Sequence, residues 1–239
     1  AVARTTRHVR HVIGDDSWLP DERWSPGMSW NNIQSRYGTA TSALTLDDNE
    51  LVVTLAPGVV GAAASLNSTG YYDIENHVVT VAGKEEAVVA DRMPNSRTLR
   101  LTGTIGAEAP VMTMRYGIDD PAHFAAWRLR ELLRARGVRV DGNIDVRRRP
   151  LTRADDPKAR GTTPFVQPPE PAAMLAELKP QPLAENMIRI NKESQNLHSE
   201  LMLRRVARQS GSGSIADGQA VMRQLMTEVI KPVQAQVIH

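Results

Sequence analysis

Residues 151–170 are too dense in turn formers for one long helix or strand. Asp155-Asp156-Pro157, Gly161-Thr162-Thr163-Pro164 and Pro168-Pro169-Glu170-Pro171 crowd turn formers into one stretch. Each proline fixes its own φ, lacks a backbone donor and pushes the residue before it out of the helical region. The stretch reads as a linker, and the apolar periodicity differs on its two sides. Upstream, Glu50–Leu55 and His77–Val81 are short, β-branched runs bounded by Gly, Pro or Asn. Arg97–Ile105 alternates polar and apolar residues, the period of a half-buried strand, and Val111–Ile118 is a further candidate. Downstream, Met187, Ile188 and Ile190 lead into Leu197, Leu201 and Leu203, and a last helix is expected from about Ala216 to Ile230. Strands before the linker and helices after it predict an α+β chain.

Three details complete this reading. One helix interrupts the strands: Asp120 caps it, Pro121 suits its first turn, Phe124, Trp127, Leu132 and Leu133 form its buried side, and Gly137 stops it. The strand expected after it, Val138–Val146, ends in Arg147-Arg148-Arg149, which reads as a solvated strand end. Ser210-Gly211-Ser212-Gly213-Ser214 reads as a flexible turn between the last two helices. Residues 1–45 look irregular and rich in turn formers, yet hold Trp18, Trp24 and Trp30. Large aromatics without periodicity pack on something larger, because such a segment cannot close a core alone.

Composition excludes several classes. With 41% apolar residues and a net charge of +2 the 239-residue chain is globular, and no apolar run approaches the ~20 residues that span a bilayer. The absence of cysteine removes disulfide scaffolds, thiolate-ligated metals and thiol nucleophiles. Only five of the 29 basic residues are lysines (Lys84, Lys158, Lys179, Lys192, Lys231), so 24 are arginines. Aromatics make up only 4%, so no nucleic-acid interface is expected and the arginines read as a solvated surface. The histidines (His8, His11, His77, His123, His198, His239) form no His-Glu-x-x-His motif, and no metal is expected. Phosphate-cradling glycine loops and a Gly-x-Ser-x-Gly elbow are absent too, and no cofactor is expected. Asn67-Ser68-Thr69 matches a glycosylation acceptor, a triplet that arises often by chance.

One cluster can carry chemistry. Ile190 to Leu201 places Ser194 and Asn196 in a short polar break between two helical stretches. There a hydroxyl can relay a proton, and a carboxamide can both donate to and accept from a peptide-like ligand. The alternative is that Ser194 merely caps the helix containing Leu197 and Leu201.

Leu183-Ala184-Glu185-Asn186-Met187-Ile188 through Asn191-Lys192-Glu193-Ser194-Gln195-Asn196-Leu197-His198-Ser199-Glu200 resembles the second active-site motif of the D-alanyl-D-alanine carboxypeptidase/endopeptidases, the class C low-molecular-mass penicillin-binding proteins. So do Gly14–Trp18, Pro26–Asn32, Ser42–Asn49, Tyr116–Ala122 and Gly137–Gly142, in the same order and at matching separations. The resemblance implies a β-lactamase/transpeptidase-like domain, present in part, with inserted β-rich accessory domains. Residues 1–45 would end one inserted domain, 46–168 form a second with one helix, and 169–239 the helical part of the transpeptidase domain. It also implies a serine acyl-enzyme acting on peptidoglycan stem peptides and bound by beta-lactam antibiotics, in the periplasm or elsewhere outside the cytoplasm, associated with the cell wall. On that basis Ser194 passes protons to the leaving amine and Asn196 holds the substrate's amide backbone; neither is the nucleophile.

Two departures qualify the match. No serine has a lysine three places on and no lysine is followed by Thr-Gly or Ser-Gly, so the Ser-x-x-Lys and Lys-Thr-Gly motifs of the family are missing. This predicts an internal fragment that is inactive alone; the alternative is a non-catalytic wall-binding or scaffolding module of the same descent. At Asn32 the family commonly has an acidic residue able to meet the amine of diaminopimelate; Asn32 keeps the hydrogen bonding and drops the charge. A loop-capping role for Asn32 is the alternative.

Overall fold

The computed structural model describes residues 2–166 and 174–236; the Pro168–Pro171 cluster and His239 lie outside the described residues. After one helical turn, α1 (Val2–Thr5), come β1 (His8–Val9) and a nine-residue strand, β2 (Val12–Pro20). β2 corrects the expectation that residues 1–45 are irregular. Its burial alternates, with Val12, Gly14 and Asp16 inward and Ile13 and Asp15 outward. Two of those inward positions carry no apolar side chain, which hides the alternation in the sequence. Gly14 lies so close to the next helix that a Cβ there would stand 2.3 Å from the Ala122 carbonyl oxygen. Asp16 turns its carboxylate onto the Ser42 hydroxyl (2.8 Å) and the Ala43 amide (2.7 Å), so the buried charge is hydrogen-bonded.

Six strands follow: β3 (Glu50–Ala56), β4 (Ser65–Ser68), β5 (Asp73–Val81), β6 (Glu86–Asp91), β7 (Thr98–Gly106) and β8 (Met112–Gly117). They build two three-stranded sheets. One runs β4-β3-β8 and is antiparallel; the other runs β5-β7-β6, with β7 parallel to β5 and antiparallel to β6. The strands expected over Glu50–Leu55, His77–Val81 and Arg97–Ile105 are present. Leu51, Val53 and Leu55 of the first sheet and Val78, Leu99, Leu101 and Ile105 of the second are fully buried in one shared core. Each such side chain contributes roughly 1.5–3 kcal/mol on burial. Gly103, exposed between Leu101 and Ile105, sits at φ +117°, where any Cβ would collide with the Ala87 carbonyl oxygen at 1.9 Å.

Helix α2 (Pro121–Arg134) begins as expected, with the Asp120 carboxylate accepting from the His123 amide at 3.2 Å. Of the expected buried side, Phe124 and Leu133 are buried, together with Pro121, Ala122 and Ala126, whereas Trp127 is half-buried and Leu132 is 37% exposed. Tyr71 joins this helix to the sheet core, its ring edge-on to Phe124 (4.9 Å) and Trp127 (5.3 Å). The single strand expected over Val138–Val146 is two strands, β9 (Arg139–Val140) and β10 (Ile144–Arg149). They pair in parallel with β1 and β2, and the break between them is held by the Gly142 amide on the Arg10 carbonyl at 2.7 Å. Of the three arginines that end β10 only Arg147 is the solvated strand end expected, for Arg148 and Arg149 are partly buried. Arg147 meets Asp15, Arg148 meets Asp120 and Arg149 meets Asp155.

Beyond β10 lie a short helix, α3 (Pro157–Arg160), then α4 (Leu183–Glu193), α5 (Asn196–Ser210) and α6 (Ile215–Gln236). The Ser-Gly-Ser-Gly-Ser turn between α5 and α6 is packed, not flexible, for Gly211 to Ser214 are buried. Ser212 donates its amide and hydroxyl to Asp217, Ser214 donates its hydroxyl to the Asp155 carbonyl, and Arg160 pairs with Asp217 at 2.5 Å. Small residues admit this approach: a Cβ on Gly211 would sit 2.5 Å from the Asp217 carboxylate. No helix of the described residues is long and apolar enough to cross a membrane.

A buried ion pair locks the junction of β6, β8 and α2. The side chain of Arg92, 0% exposed, grips Asp119 with two hydrogen bonds of 2.6 and 2.7 Å, and Asp119 also accepts from the Asn95 amide at 2.6 Å. Removing one partner leaves the other charge buried without compensation, which costs about 3–5 kcal/mol. Asp119→Ala is therefore expected to lower unfolding free energy in urea by about that amount; a loss under about 1 kcal/mol contradicts the assignment.

Candidate functional site

Helix α4 closes on Ser194, whose backbone is left-handed (φ 52°, ψ 50°) and whose amide donates to the Ile190 carbonyl. Gln195, extended at φ −80° and ψ 96°, then occupies the cap position of α5. Ser194 therefore ends one helix and does not cap the next. It is exposed, and its hydroxyl has no hydrogen-bond partner among the described residues. The two-residue break folds α4 back beside α5, and His198 Nδ1 lies 2.7 Å from Asn186 Oδ1 across the pair.

One face of α5 docks on the segment after β2 through residues four apart, which a helix stacks on one side. Asn196 Nδ2 donates to the Tyr37 carbonyl at 3.2 Å, Glu200 accepts from the Ser25 hydroxyl at 3.0 Å, and Arg204 meets Glu22 at 3.1 Å. Helix and segment thus run antiparallel. Between them lies a groove of ≈ 420 Å³ whose lining includes Trp24, Met28, Tyr37, Asn196, Ser199 and Leu203. Tyr37 is the bridge between two of the three residues singled out in the sequence: its hydroxyl donates to Asn32 Oδ1 at 3.4 Å while its carbonyl holds Asn196. Asn32 itself ends a short 3₁₀ turn, Trp30–Asn32. Ser194 is not among the residues lining that groove.

Sequence reasoning missed the partners on the other side of α5. A second groove of ≈ 610 Å³ is lined by Trp18, Asp48, Asn186, Arg189, His198 and Met202, among others. His198 Nε2 lies 2.9 Å from Asp48, whose carboxylate also takes the Arg189 guanidinium. Asp47, Asp48 and Asn49 all sit at positive φ, an unfavourable run for residues with a Cβ. It persists because Asn49 is fully buried, donating to the Ala40 carbonyl (3.0 Å) and accepting from the Leu46 amide (3.2 Å). The Leu46-Asp47-Asp48-Asn49 string was legible as a motif; its partners in α4 and α5, some 150 positions on, were not. Among the described residues no group of three or more His, Asp or Glu has the arrangement of a metal site.

Two helices meeting at a Ser-x-Asn turn, beside two three-stranded sheets, make a mixed α+β fold. The chain belongs to the D-Ala-D-Ala carboxypeptidase 3 (S13) family, whose pattern it matches over residues 3–235. It is 26% identical over 224 residues to a D-alanyl-D-alanine carboxypeptidase of Actinomadura sp. (strain R39), covering 89% of this chain and 39% of that one. The fold is similar to penicillin binding protein 4 from Haemophilus influenzae, with a TM-score of 0.64 at 15% identity over 91% of this chain and 47% of that one. The same protein complexed with a novel beta-lactam aligns at a TM-score of 0.51 and 16% identity, over 79% of this chain and 42% of that one. The chain thus spans less than half the length of these relatives.

Burial pushes the Asp48 carboxyl up, but hydrogen bonds from His198 and Arg189 outweigh it and hold the group below the ordinary value of 3.8. A carboxylate depressed in the fold adds stability above its unfolded value and loses that contribution as pH falls through the folded one. Asp48→Asn is expected to melt below the native chain at about pH 7, by a gap that narrows as pH falls below the ordinary value of 3.8. A gap that stays equal as pH falls, followed by circular dichroism, contradicts this role for Asp48.

Proposed function

We propose that this chain is part of a serine D-Ala-D-Ala carboxypeptidase/endopeptidase that acts on peptidoglycan stem peptides outside the cytoplasm, at the cell wall, and that is acylated by beta-lactams. The observation that carries the reading is the position of Asn196, at the first turn of α5, at the edge of a groove and anchored on the Tyr37 carbonyl. Family membership and the Ser194-x-Asn196 spacing support it. Residues 169–239 supply the helical part of the transpeptidase domain; 1–45 end one accessory insertion and 46–168 form another.

In this reaction a serine hydroxyl outside this sequence attacks the carbonyl carbon of the penultimate D-alanine. The peptide C–N bond breaks and the departing amine takes a proton; water then hydrolyses the acyl ester and restores the serine. Ser194, with its exposed hydroxyl at the hinge of α4 and α5, hands the proton to the leaving amine. Asn196 has one amide proton engaged by Tyr37 and an Oδ1 without a partner among the described residues, so it accepts from the substrate's backbone N–H. Asn32, at the other end of Tyr37, offers a neutral polar group to the stem-peptide side chain.

The chain holds neither Ser-x-x-Lys nor Lys-Thr-Gly. Intact-mass measurement of these 239 residues with penicillin is therefore expected to show no covalent adduct. In a polypeptide joining this segment to both motifs an adduct forms, and Asn196→Ala lowers kcat/KM on a D-Ala-D-Ala peptide by about a hundredfold or more. An adduct on the 239 residues alone overturns the division of labour; no adduct on the joined polypeptide makes the segment a binding or scaffolding module.

A further inference from the structure

Four guanidiniums and three carboxylates converge where β6, β10 and the start of α2 approach the segment after β2. Arg23 pairs with Asp21 (3.2 Å), Arg92 with Asp119 (2.6 Å) and Arg148 with Asp120. That leaves Arg97 with no carboxylate partner among the described residues. Arg97 is nevertheless held in place. One guanidinium nitrogen donates to the Tyr71 carbonyl, and the group lies over the Tyr71 ring with its carbon 3.9 Å from the centroid. A cation stacked on an aromatic face and tethered at one nitrogen has lost its freedom before any ligand arrives.

The surroundings fit an anionic ligand. Tyr71, Asn95, Arg97 and His123 line a pocket of ≈ 320 Å³ together with Asp119 and Asp120, whose carboxylates are taken by Arg92 and Arg148. His123 Nδ1 lies 3.1 Å from the Tyr71 hydroxyl oxygen and 3.5 Å from the nearest Arg97 nitrogen. Burial, with repulsion from Arg97, Arg130 and Arg148, keeps His123 below the ordinary imidazole value in spite of nearby Asp120. The ring is therefore a neutral hydrogen-bonding group beside one uncompensated guanidinium. Such a planar fork matches a carboxylate through two parallel hydrogen bonds.

We propose that the pocket between Tyr71 and α2 binds a carboxylate-bearing ligand through Arg97. Its volume is at the small end for ligand sites, so it takes a terminal group and not a whole substrate. A carboxylate of that kind is carried either by the free end of a peptide or by an acidic sugar.

Titration calorimetry of the full 239-residue chain separates these sources. The probes are N-acetyl-alanyl-alanine, its C-terminal amide, glucuronic acid and glucose. At least one acid is expected to bind about tenfold or more tightly than its neutral counterpart, the difference a charge-assisted hydrogen bond confers. The peptide acid alone assigns the peptide end; the sugar acid alone assigns the acidic sugar; both together assign the carboxylate by itself. Arg97→Gln is expected to abolish the preference while the chain stays folded, with a small fall in melting temperature from the lost contact with Tyr71. Arg97→Lys keeps the charge without the fork and retains only part of it. Absence of binding by either acid, equal binding of acid and neutral probes, or an acid preference surviving in Arg97→Gln overturns the proposal. If Arg97→Gln misfolds, the acid and neutral probes on the native chain decide.

Discussion

The arrangement of the helical part depends on one buried guanidinium. The side chain of Arg204, 1% exposed, spends its donors on the Glu22 carboxylate (3.1 Å), the Glu22 carbonyl (2.8 Å) and Glu200 one turn back on α5 (2.9 Å). Burying a charge is unfavourable unless it is paired and hydrogen-bonded, and here all three nitrogens have partners. The same Glu22 carboxylate also accepts from the Ile215 amide at 3.0 Å, at the N-terminus of α6. A negative charge there satisfies an otherwise orphaned donor and opposes the helix dipole. Glu22 thus ties α5, α6 and the segment after β2 together, and the place of Asn196 against Tyr37 follows from that tie.

A second polar knot sets the base of the same helices. Asp155 accepts from Arg149 (2.6 Å) and from Thr152, while Asp217 takes Ser212 and Arg160. Burial pushes both carboxyls up, and the hydrogen bonds outweigh it, so both are held below the ordinary carboxylate range. Arg149 at the end of β10 is therefore a structural cation: through Asp155 and the Ser212 carbonyl (2.8 Å) it fastens the sheet-bearing part to the α5–α6 turn. A chain rich in arginine and poor in lysine suits this use, because the planar fork binds carboxylates at two points.

What was legible in the sequence, and what was not, divides along physical lines. Strands with apolar inward residues declared themselves, Leu51, Val53 and Leu55 within a short β-branched run and Leu99, Leu101 and Ile105 through their period. β2 did not, because Gly14 and Asp16 occupy inward places for reasons of close approach and hydrogen bonding. The Ser-Gly repeat before α6 has the composition of a flexible linker, yet its small residues are what let Asp217 and Asp155 close on the turn. Ser194 and Asn196 were found by spacing and motif. Their setting was not, since Tyr37, Glu22 and Asp48 meet α5 only after folding has joined positions 150 or more residues apart. Glu200 and Arg204, one turn apart on a helix, were the one available hint of that contact.

The central claim is that the Arg204–Glu22 contact holds α5, and with it Asn196, against the segment running to Tyr37. Hydrogen exchange of the Arg204→Met chain tests it most directly. Amides of residues 196–203 and of the Glu22–Tyr37 segment are expected to exchange about a hundredfold faster than in the native chain, while those of β3 and β7 keep their protection. Unchanged exchange along α5 would contradict the account.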